Sequence, residues 1–226
     1  MKKFSPFMGL QIVYSHRIDG SFRDQDSVKN FLGIETDLPI SFLQLEHSDQ
    51  IISIDSPADQ TKVGDSIITH LKHQVLSFTV GDCFPLVLFD SKKQVIALIH
   101  CGWKSLYKNL IALTFQQMHN TYQCEPKNIF AWIGPGICAK HYTQQTEPVQ
   151  LQTDQWTKAV AKNGDVYSID LKLFIKQELY KSGVENQNIN DEDLCTYQNR
   201  TEFFSHRRTT NEGDEEGRFF ITIWQQ

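Results

Sequence analysis

The residues best suited to chemistry in this sequence are one cysteine and two histidines, Cys83, His100 and His47. Each ends or directly follows a stretch of apolar, strand-like sequence. Side chains at three strand ends can converge on one point, where two imidazoles and one thiolate can bind zinc. Three ligands leave a fourth position open, as in catalytic rather than structural zinc sites. The three residues are far apart in the chain, so the fold must bring them together.

The neighbours of Cys83 and His100 add groups that could act with them. Asp82 could orient a ligand histidine or act as a general base. Trp103 could stack on a base or a sugar, and Lys104 could meet an anion at the start of a helix. Structural interpretations remain open: Cys83 as a small buried side chain, His100 as a hydrogen-bonded core histidine, Trp103 as a packing residue and Asp82 as a turn residue.

Three arginines are further candidates for anion binding. Arg17 follows a strand-like stretch, and Arg207 and Arg208 follow an aromatic one. The planar guanidinium group suits phosphate or carboxylate. The alternative is a set of salt bridges with the acidic stretch 212–216, which we predict to be the exposed tip of a hairpin.

Strands must position most of these residues. Three nearly continuous apolar runs predict strands covered on both faces, the last two paired as a hairpin across a polar turn. Strands in runs, rather than in alternation with helices, indicate an α+β fold with a mixed sheet. We predict strands at 10–16, 40–47, 51–54, 65–69, 75–80, 84–89, 95–100, 129–133, 203–206 and 219–224, helices at 27–32, 105–118 and 171–181, and a polar loop at 209–217.

Composition limits the classes of function. The chain has 226 residues, 40% of them hydrophobic and 22% charged, and it shows no repeat or sharp boundary, so we expect a single domain over 1–226. A net charge of −5 argues against nucleic-acid or anionic-membrane binding. No apolar run approaches the roughly 20 residues that span a bilayer. Five irregularly spaced cysteines without a C-x-x-C pair favour a reducing cytoplasm.

Several segments, in the same order, resemble the YfiH-type laccase-domain family, also described as laccase-like multicopper polyphenol oxidoreductases and as purine nucleoside phosphorylases. Residues 81–88 are similar to the family's Ala-Asp-Cys-x-Pro strand, and 100–105 to its His-Ala-Gly-Trp-Arg-Gly turn. Further similar segments are 131–137, 195–197, 203–208, 217–218 and 223–224. The chain departs from the family at Lys104, which replaces an arginine, and at 138–141, where Cys-Ala-Lys-His replaces Gly-Pro-Cys-Cys.

The resemblance implies that His47, Cys83 and His100 bind zinc, and that the fold is a four-layer α/β/β/α sandwich with mixed sheets. It implies phosphorolysis of inosine, guanosine, adenosine and methylthioadenosine, together with deamination of adenosine. The partners would be a purine nucleoside and phosphate. The expected catalytic residues are Cys83, His100 and Asp82, and the expected substrate-binding residues are Arg17, Trp103, Lys104 and Arg207.

Other functions could use the same residues. Cys83 and His100 could be the nucleophile and base of a cysteine hydrolase, including an amidase that edits peptidoglycan precursors, an activity also attributed to YfiH-type proteins. Copper-dependent oxidation of phenols needs several histidine clusters, whereas the eight histidines here are scattered, so zinc is expected rather than copper. A binding module without catalytic activity is a further alternative. The sequence indicates no protein partner.

Overall fold

Two six-stranded sheets form the framework of the protein in a computed structural model, which describes residues 1–33 and 37–226. The strands are β1 (Lys2–Phe4), β2 (Leu10–Tyr14), β3 (Ile40–Gln44), β4 (Ile51–Ile54), β5 (Gln60–Val63), β6 (Ser66–Thr69), β7 (Val75–Val80), β8 (Phe84–Asp90), β9 (Val95–Cys101), β10 (Ile129–Ile133), β11 (Thr143–Gln144), β12 (Val160–Asn163), β13 (Val166–Ile169), β14 (Ile189–Asp191) and β15 (Phe219–Gln225). The helices are α1 (Gln25–Leu32), α2 (Trp103–Tyr107), α3 (Leu110–Tyr122), α4 (Leu171–Lys181) and α5 (His206–Glu212).

Both large sheets are mixed. The first has the strand order β1-β2-β15-β7-β3-β5, in which β3 runs parallel to β5 and β7. The second has the order β14-β10-β8-β9-β6-β4, with parallel pairs at both edges and antiparallel pairs between them. Strands β11, β13 and β12 form a small third sheet.

Three apolar clusters separate the layers of the protein. One lies between α1 and the first sheet, a second between the two large sheets, and a third between the second sheet and helices α2, α3 and α4. The order of the layers is therefore helix, sheet, sheet, helices. This arrangement confirms the expected α+β fold class and the four-layer α/β/β/α sandwich.

The alternation of side chains in β8 explains why the strand is apolar throughout. Phe84, Leu86 and Leu88 face the helices, whereas Val87 and Phe89 face the other sheet. Each such side chain contributes about 2 kcal/mol through its burial. Strand β9 alternates in the same way and pairs with β8 as the predicted hairpin.

Two predictions about secondary structure are wrong. The helix expected over 105–118 is interrupted at Asn109, whose φ of 62° is left-handed and separates α2 from α3. The strand expected at 203–206 does not form. Ser205 instead caps α5 by accepting a hydrogen bond from the Arg208 backbone N–H, so α5 occupies the first part of the predicted polar loop. None of the helices in the described ranges is long and apolar enough to cross a bilayer.

Candidate metal centre

His47, Cys83 and His100 meet at one end of the sandwich, where the chain passes between the two large sheets. His47 follows β3, Cys83 lies in the turn between β7 and β8, and His100 lies near the end of β9. Strands β3 and β7 are parallel neighbours in the first sheet, so their carboxyl ends share one edge. Strands β8 and β9 pair in the second sheet. The crossing from β7 to β8 therefore carries Cys83 to the two histidines.

The geometry of these three residues fits a zinc ion. Their ligand atoms all lie within 4.8 Å of one another, and Cys83 Sγ is 4.0 Å from His47 Nε2. Tetrahedral zinc with ordinary bond lengths places a sulfur and a nitrogen about 3.6 Å apart. This sulfur and nitrogen thus need to approach by only a few tenths of an ångström, and nitrogen and sulfur donors are ones that zinc prefers. We call these three residues the trio.

Asp65, at the residue before β6, holds two members of the trio in place. His100 Nδ1 donates a 2.7 Å hydrogen bond to the fully buried Asp65 carboxylate, which leaves Nε2 as the ligand atom. Backbone N–H groups of Glu46, His47 and Ser48 donate to the same carboxylate and fix the loop after β3. Burial raises the pKa of Asp65, but hydrogen bonds from His100 and Ser48 outweigh it and hold the pKa well below its usual range.

Gly102 lies close to all three members of the trio. A Cβ atom there would lie 2.9 Å from a ring carbon of His47, 3.2 Å from Cys83 Sγ and 3.2 Å from a ring carbon of His100. The residue also precedes α2. Glycine is therefore required here for space, since its φ of −83° is open to any residue.

Cys83 and His100 form a charged pair in the metal-free protein. Burial raises the pKa of the Cys83 thiol, but the positive charge of His100 and hydrogen bonds from both histidines outweigh it and lower the pKa to about 6. Burial lowers the pKa of His100, but the Cys83 thiolate and the hydrogen bond to Asp65 raise it to about 9. The lowered pKa favours the thiolate of Cys83 at neutral pH, and the thiolate is the form that binds metal or attacks a substrate.

Two neighbouring cavities use the trio as part of their walls. The larger, of about 650 Å³, contacts all three residues. The smaller, of about 460 Å³, contacts His47 and Cys83 and is also lined by Asp82, Trp103, Lys104, Ile137, Tyr142, Leu171, Arg207 and Thr210. Both volumes are in the range of small-molecule sites.

Four predicted site residues surround the smaller cavity. Trp103 and Lys104 belong to the first turn of α2, and Arg207 to the first turn of α5. The guanidinium of Arg207 lies 4.9 Å from the ring centre of Tyr142. The Asp82 carboxylate accepts hydrogen bonds from the Thr196 hydroxyl at 2.6 Å and the Arg207 backbone N–H at 2.6 Å. Asp82 therefore holds α5 against the turn before Cys83, whereas the carboxylate beside His100 is Asp65.

Arg17 is the predicted site residue that the structure does not bring to the trio. It forms ion pairs with Asp214 and Glu215. Asp214 also pairs with Arg208, which is fully buried and donates to three backbone carbonyl groups. The acidic stretch 212–216 is largely exposed, as predicted, but it begins at the end of α5 and not after a strand, so it is not the tip of a hairpin. The salt bridges considered as an alternative are present. A role for Arg17 in substrate binding stays a prediction.

The sequence analysis did not single out three residues of this region. Asp65 gave no signal because its contacts come from distant parts of the chain. Tyr142 and His206 also line the smaller cavity, and His206 lines both. His206 could have been found from the sequence, because it lies within segment 203–208, which is similar to the laccase-domain family.

Known proteins share both the sequence pattern and the fold. Residues 23–226 match the family model described as multi-copper polyphenol oxidoreductase laccase. The chain is 30% identical over 153 residues to a Bacillus subtilis (strain 168) protein named purine nucleoside phosphorylase YlmD, across 65% of this chain and 54% of that protein. It is 25% identical over 175 residues to purine nucleoside phosphorylase YfiH of Escherichia coli (strain K12), across 76% of this chain and 70% of that protein.

Solved structures extend the comparison to the whole fold. The crystal structure of YfiH from Bacillus licheniformis matches with a TM-score of 0.84 at 23% identity, over 96% of this chain and 93% of that one. YlmD from Geobacillus stearothermophilus matches with a TM-score of 0.83 at 19% identity, over 98% and 93%. The chain spans about half the length of the Bacillus subtilis relative. On the match of its sequence from residue 23 onwards, the chain belongs to the multi-copper polyphenol oxidoreductase laccase family.

Proposed function

We propose that this protein is a zinc-dependent purine nucleoside phosphorylase with adenosine deaminase activity. The observation that supports the proposal is the trio itself, three side chains that could hold a metal ion, two of which line both cavities of small-molecule size. The names of the relatives in Bacillus subtilis and Escherichia coli support the nucleoside reaction. The proposed nucleoside substrates are inosine, guanosine, adenosine and methylthioadenosine.

The smaller cavity is the proposed site of the nucleoside and of phosphate. Trp103 and Tyr142 offer aromatic surfaces to a purine or a sugar, and Lys104 and Arg207 offer positive charge to phosphate. In phosphorolysis a phosphate oxygen bonds to the anomeric carbon of the sugar while the bond to the purine breaks. The leaving purine must gain a proton, and we assign that transfer to His206, which lines both cavities.

His47, Cys83 and His100 would hold the zinc ion, which supplies a Lewis acid when bound. Asp65 acts as a positioning residue, because its hydrogen bond fixes the ring of His100. Copper electron-transfer sites also use two histidines and one cysteine. Elemental analysis of the purified protein must therefore measure copper as well as zinc.

The decisive assay adds inosine and phosphate to protein purified without chelator and measures released hypoxanthine. We expect release by the wild type and a fall of more than about 100-fold in the Cys83→Ala variant, since even partners outside the ligand shell contribute 10–100-fold. Cys124→Ala is the matched control, because Cys124 is a buried cysteine outside the trio. Equal, slow release by wild type and Cys83→Ala would show that the assignment is wrong. Adenosine, followed to inosine, tests the deaminase activity.

A cysteine hydrolase is the second candidate function, favoured by the thiolate–imidazolium pair of Cys83 and His100. In that reaction the Cys83 thiolate would bond to the carbonyl carbon of an amide, such as one in a peptidoglycan precursor, the C–N bond would break, and the leaving amine would take a proton from His100. Mass spectrometry of protein mixed with such a precursor would detect the acyl-enzyme. Stoichiometric zinc bound to the thiolate would argue against this function.

The proposed location is the cytoplasm. The five cysteines of the described residues are free thiols, which supports a reducing compartment.

A further inference from the structure

A second group of metal-binding side chains lies outside the trio, formed by Cys138, His141 and Cys195. His141 Nδ1 is 3.2 Å from Cys138 Sγ and 3.6 Å from Cys195 Sγ. The three ligand atoms all lie within 4.8 Å of one another. We call this group the second cluster. The proposed reaction uses none of these residues.

The backbone around the second cluster is firmly held. Gly136 and Cys195 form an isolated parallel bridge, and the Thr196 N–H donates to the Gly136 carbonyl at 3.1 Å. The Cys138 N–H donates to Cys195 Sγ at 3.3 Å, a contact that stabilises a thiolate. The His141 ring stacks on Tyr197 with centroids 4.5 Å apart and planes 13° apart. These contacts orient the donor atoms towards one another.

The geometry points to a second zinc site at Cys138, His141 and Cys195. Tetrahedral zinc separates a sulfur and a nitrogen ligand by about 3.6 Å, and the two observed distances lie on or just below that value. Two sulfurs and one nitrogen form a soft donor set that suits zinc. Cys195 is 8% exposed, whereas Cys138 and His141 are only partly buried, so an ion can reach the cluster from solvent.

A cation at this position would join two segments that support the candidate active site. Ile137, next to Cys138, donates its backbone N–H to the Asp82 carbonyl at 2.8 Å. Thr196, next to Cys195, donates its hydroxyl to the Asp82 carboxylate. Ile137 also lines the smaller cavity. The second zinc would thus have a positioning role, holding the wall of the cavity and the turn before Cys83.

The first experiment measures zinc per chain in protein purified without chelator. We expect about two equivalents in the wild type and about one in Cys83→Ser, Cys138→Ser and Cys195→Ser. The double variant Cys83→Ser/Cys138→Ser should retain almost none, and the control Cys124→Ser should retain both. The zinc content does not depend on the nucleoside reaction. The second zinc site can therefore be disproved while the phosphorylase activity is confirmed, and the activity can be disproved while the second site is confirmed.

The second experiment titrates metal-free Cys83→Ser with Co²⁺ and follows the near-ultraviolet absorption of cobalt–thiolate bonds. The Cys83 substitution removes the thiolate of the trio, so this absorption reports on the second cluster. We expect absorption that saturates at one equivalent and disappears in Cys83→Ser/His141→Gln, whose histidine substitution preserves both thiols. A silent titration of folded Cys83→Ser would overturn the proposal. A Cys138–Cys195 disulfide in protein purified with reductant, seen as the loss of two hydrogen masses, would also overturn it.

Discussion

At the scale of single residues, the trio is held by one buried carboxylate, because Asp65 accepts hydrogen bonds from both the His100 ring and the His47 backbone N–H. Cys83 and His100 stand out because each lies at a junction between apolar strands, and the structure brings them to His47. Metal binding by the three stays a prediction. The supporting carboxylate was not predictable in the same way, because Asp65 gains its role only when β6 is placed beside β9. Asp82 directly precedes Cys83 in the sequence and was therefore the expected partner of the trio. Its carboxylate instead accepts hydrogen bonds from the Thr196 hydroxyl and from the Arg207 backbone N–H in α5.

The first prediction concerns the pH dependence of Cys83 in the metal-free protein. The folded pKa of about 6 is below the ordinary value of 9.0, so ionisation of this thiol stabilises the fold fully above pH 9.0 and ceases to do so as the pH falls through about 6. His100 has the opposite sign, since its pKa is raised from 6.5 to about 9 and its contribution is lost as the pH rises through about 9. Both groups are charged between about pH 6 and 9.

Alkylation by iodoacetamide, followed for each cysteine by mass spectrometry, measures this ionisation. We expect the rate at Cys83 to rise with a midpoint near pH 6, and His100→Gln to move the midpoint towards 9 because the positive charge is lost. Cys138 is an internal control, since burial and the neighbouring Cys195 raise its pKa to about 11. A wild-type midpoint between pH 8 and 9 would contradict the charged pair.

At the scale of elements, continuous apolar runs were the most predictable part of the fold. The strands at 51–54, 75–80 and 129–133 and the helix at 171–181 have the predicted bounds. The strands at 75–80 and 129–133 are almost wholly buried, and Asp170 caps the helix. The short strands β11, β12 and β13 were not predicted, since each has at most four residues and they depend on pairing with one another. The break at Asn109 was equally invisible, because apolar spacing continues across it.

The second prediction concerns the junction between β9 and α2. Gly102→Ala removes no ligand, but its new Cβ would press on His47, Cys83 and His100. We expect zinc affinity at the trio to fall at least about 10-fold, comparable to loss of an outer-shell partner. Competition with a chromogenic chelator measures the affinity.

Gly164→Ala is the control for that substitution. Gly164 has a φ of 61° and open space around it, so alanine there strains the backbone by about 1 kcal/mol and leaves the trio untouched. Unchanged zinc affinity in Gly102→Ala would mean that the trio has more room than the distances indicate.

At the scale of the whole molecule, one apolar layer links the two large sheets. Strands from both sheets contribute to it, including β2, β7 and β15 from the first and β8 and β9 from the second. The length of the chain and the lack of a repeat or sharp boundary in its sequence suggested a single domain, and that organisation stays a prediction. The four layers themselves came from the family resemblance, because strand runs alone do not specify how sheets stack.

The third prediction compares removal of the two terminal strands. Strand β15 is buried along its whole length between β2 and β7, whereas β1 is a partly exposed strand at the edge of the sheet that, among the described strands, pairs with β2 alone. We expect a chain ending at Arg218 to lack cooperative thermal unfolding by circular dichroism. A chain without residues 1–4 should keep a cooperative transition at a lower midpoint. A cooperative transition in the first variant would show that β15 is dispensable.

The central place of β15 also has a consequence for synthesis on the ribosome. Strands β2 and β7 are made early, yet the strand that separates them is translated more than a hundred residues later. Until residues 219–225 have left the exit tunnel, both strands present unpaired edges and an uncovered apolar surface. The first sheet is therefore completed only after translation has passed residue 225, and until then the partly formed sheet is prone to aggregation.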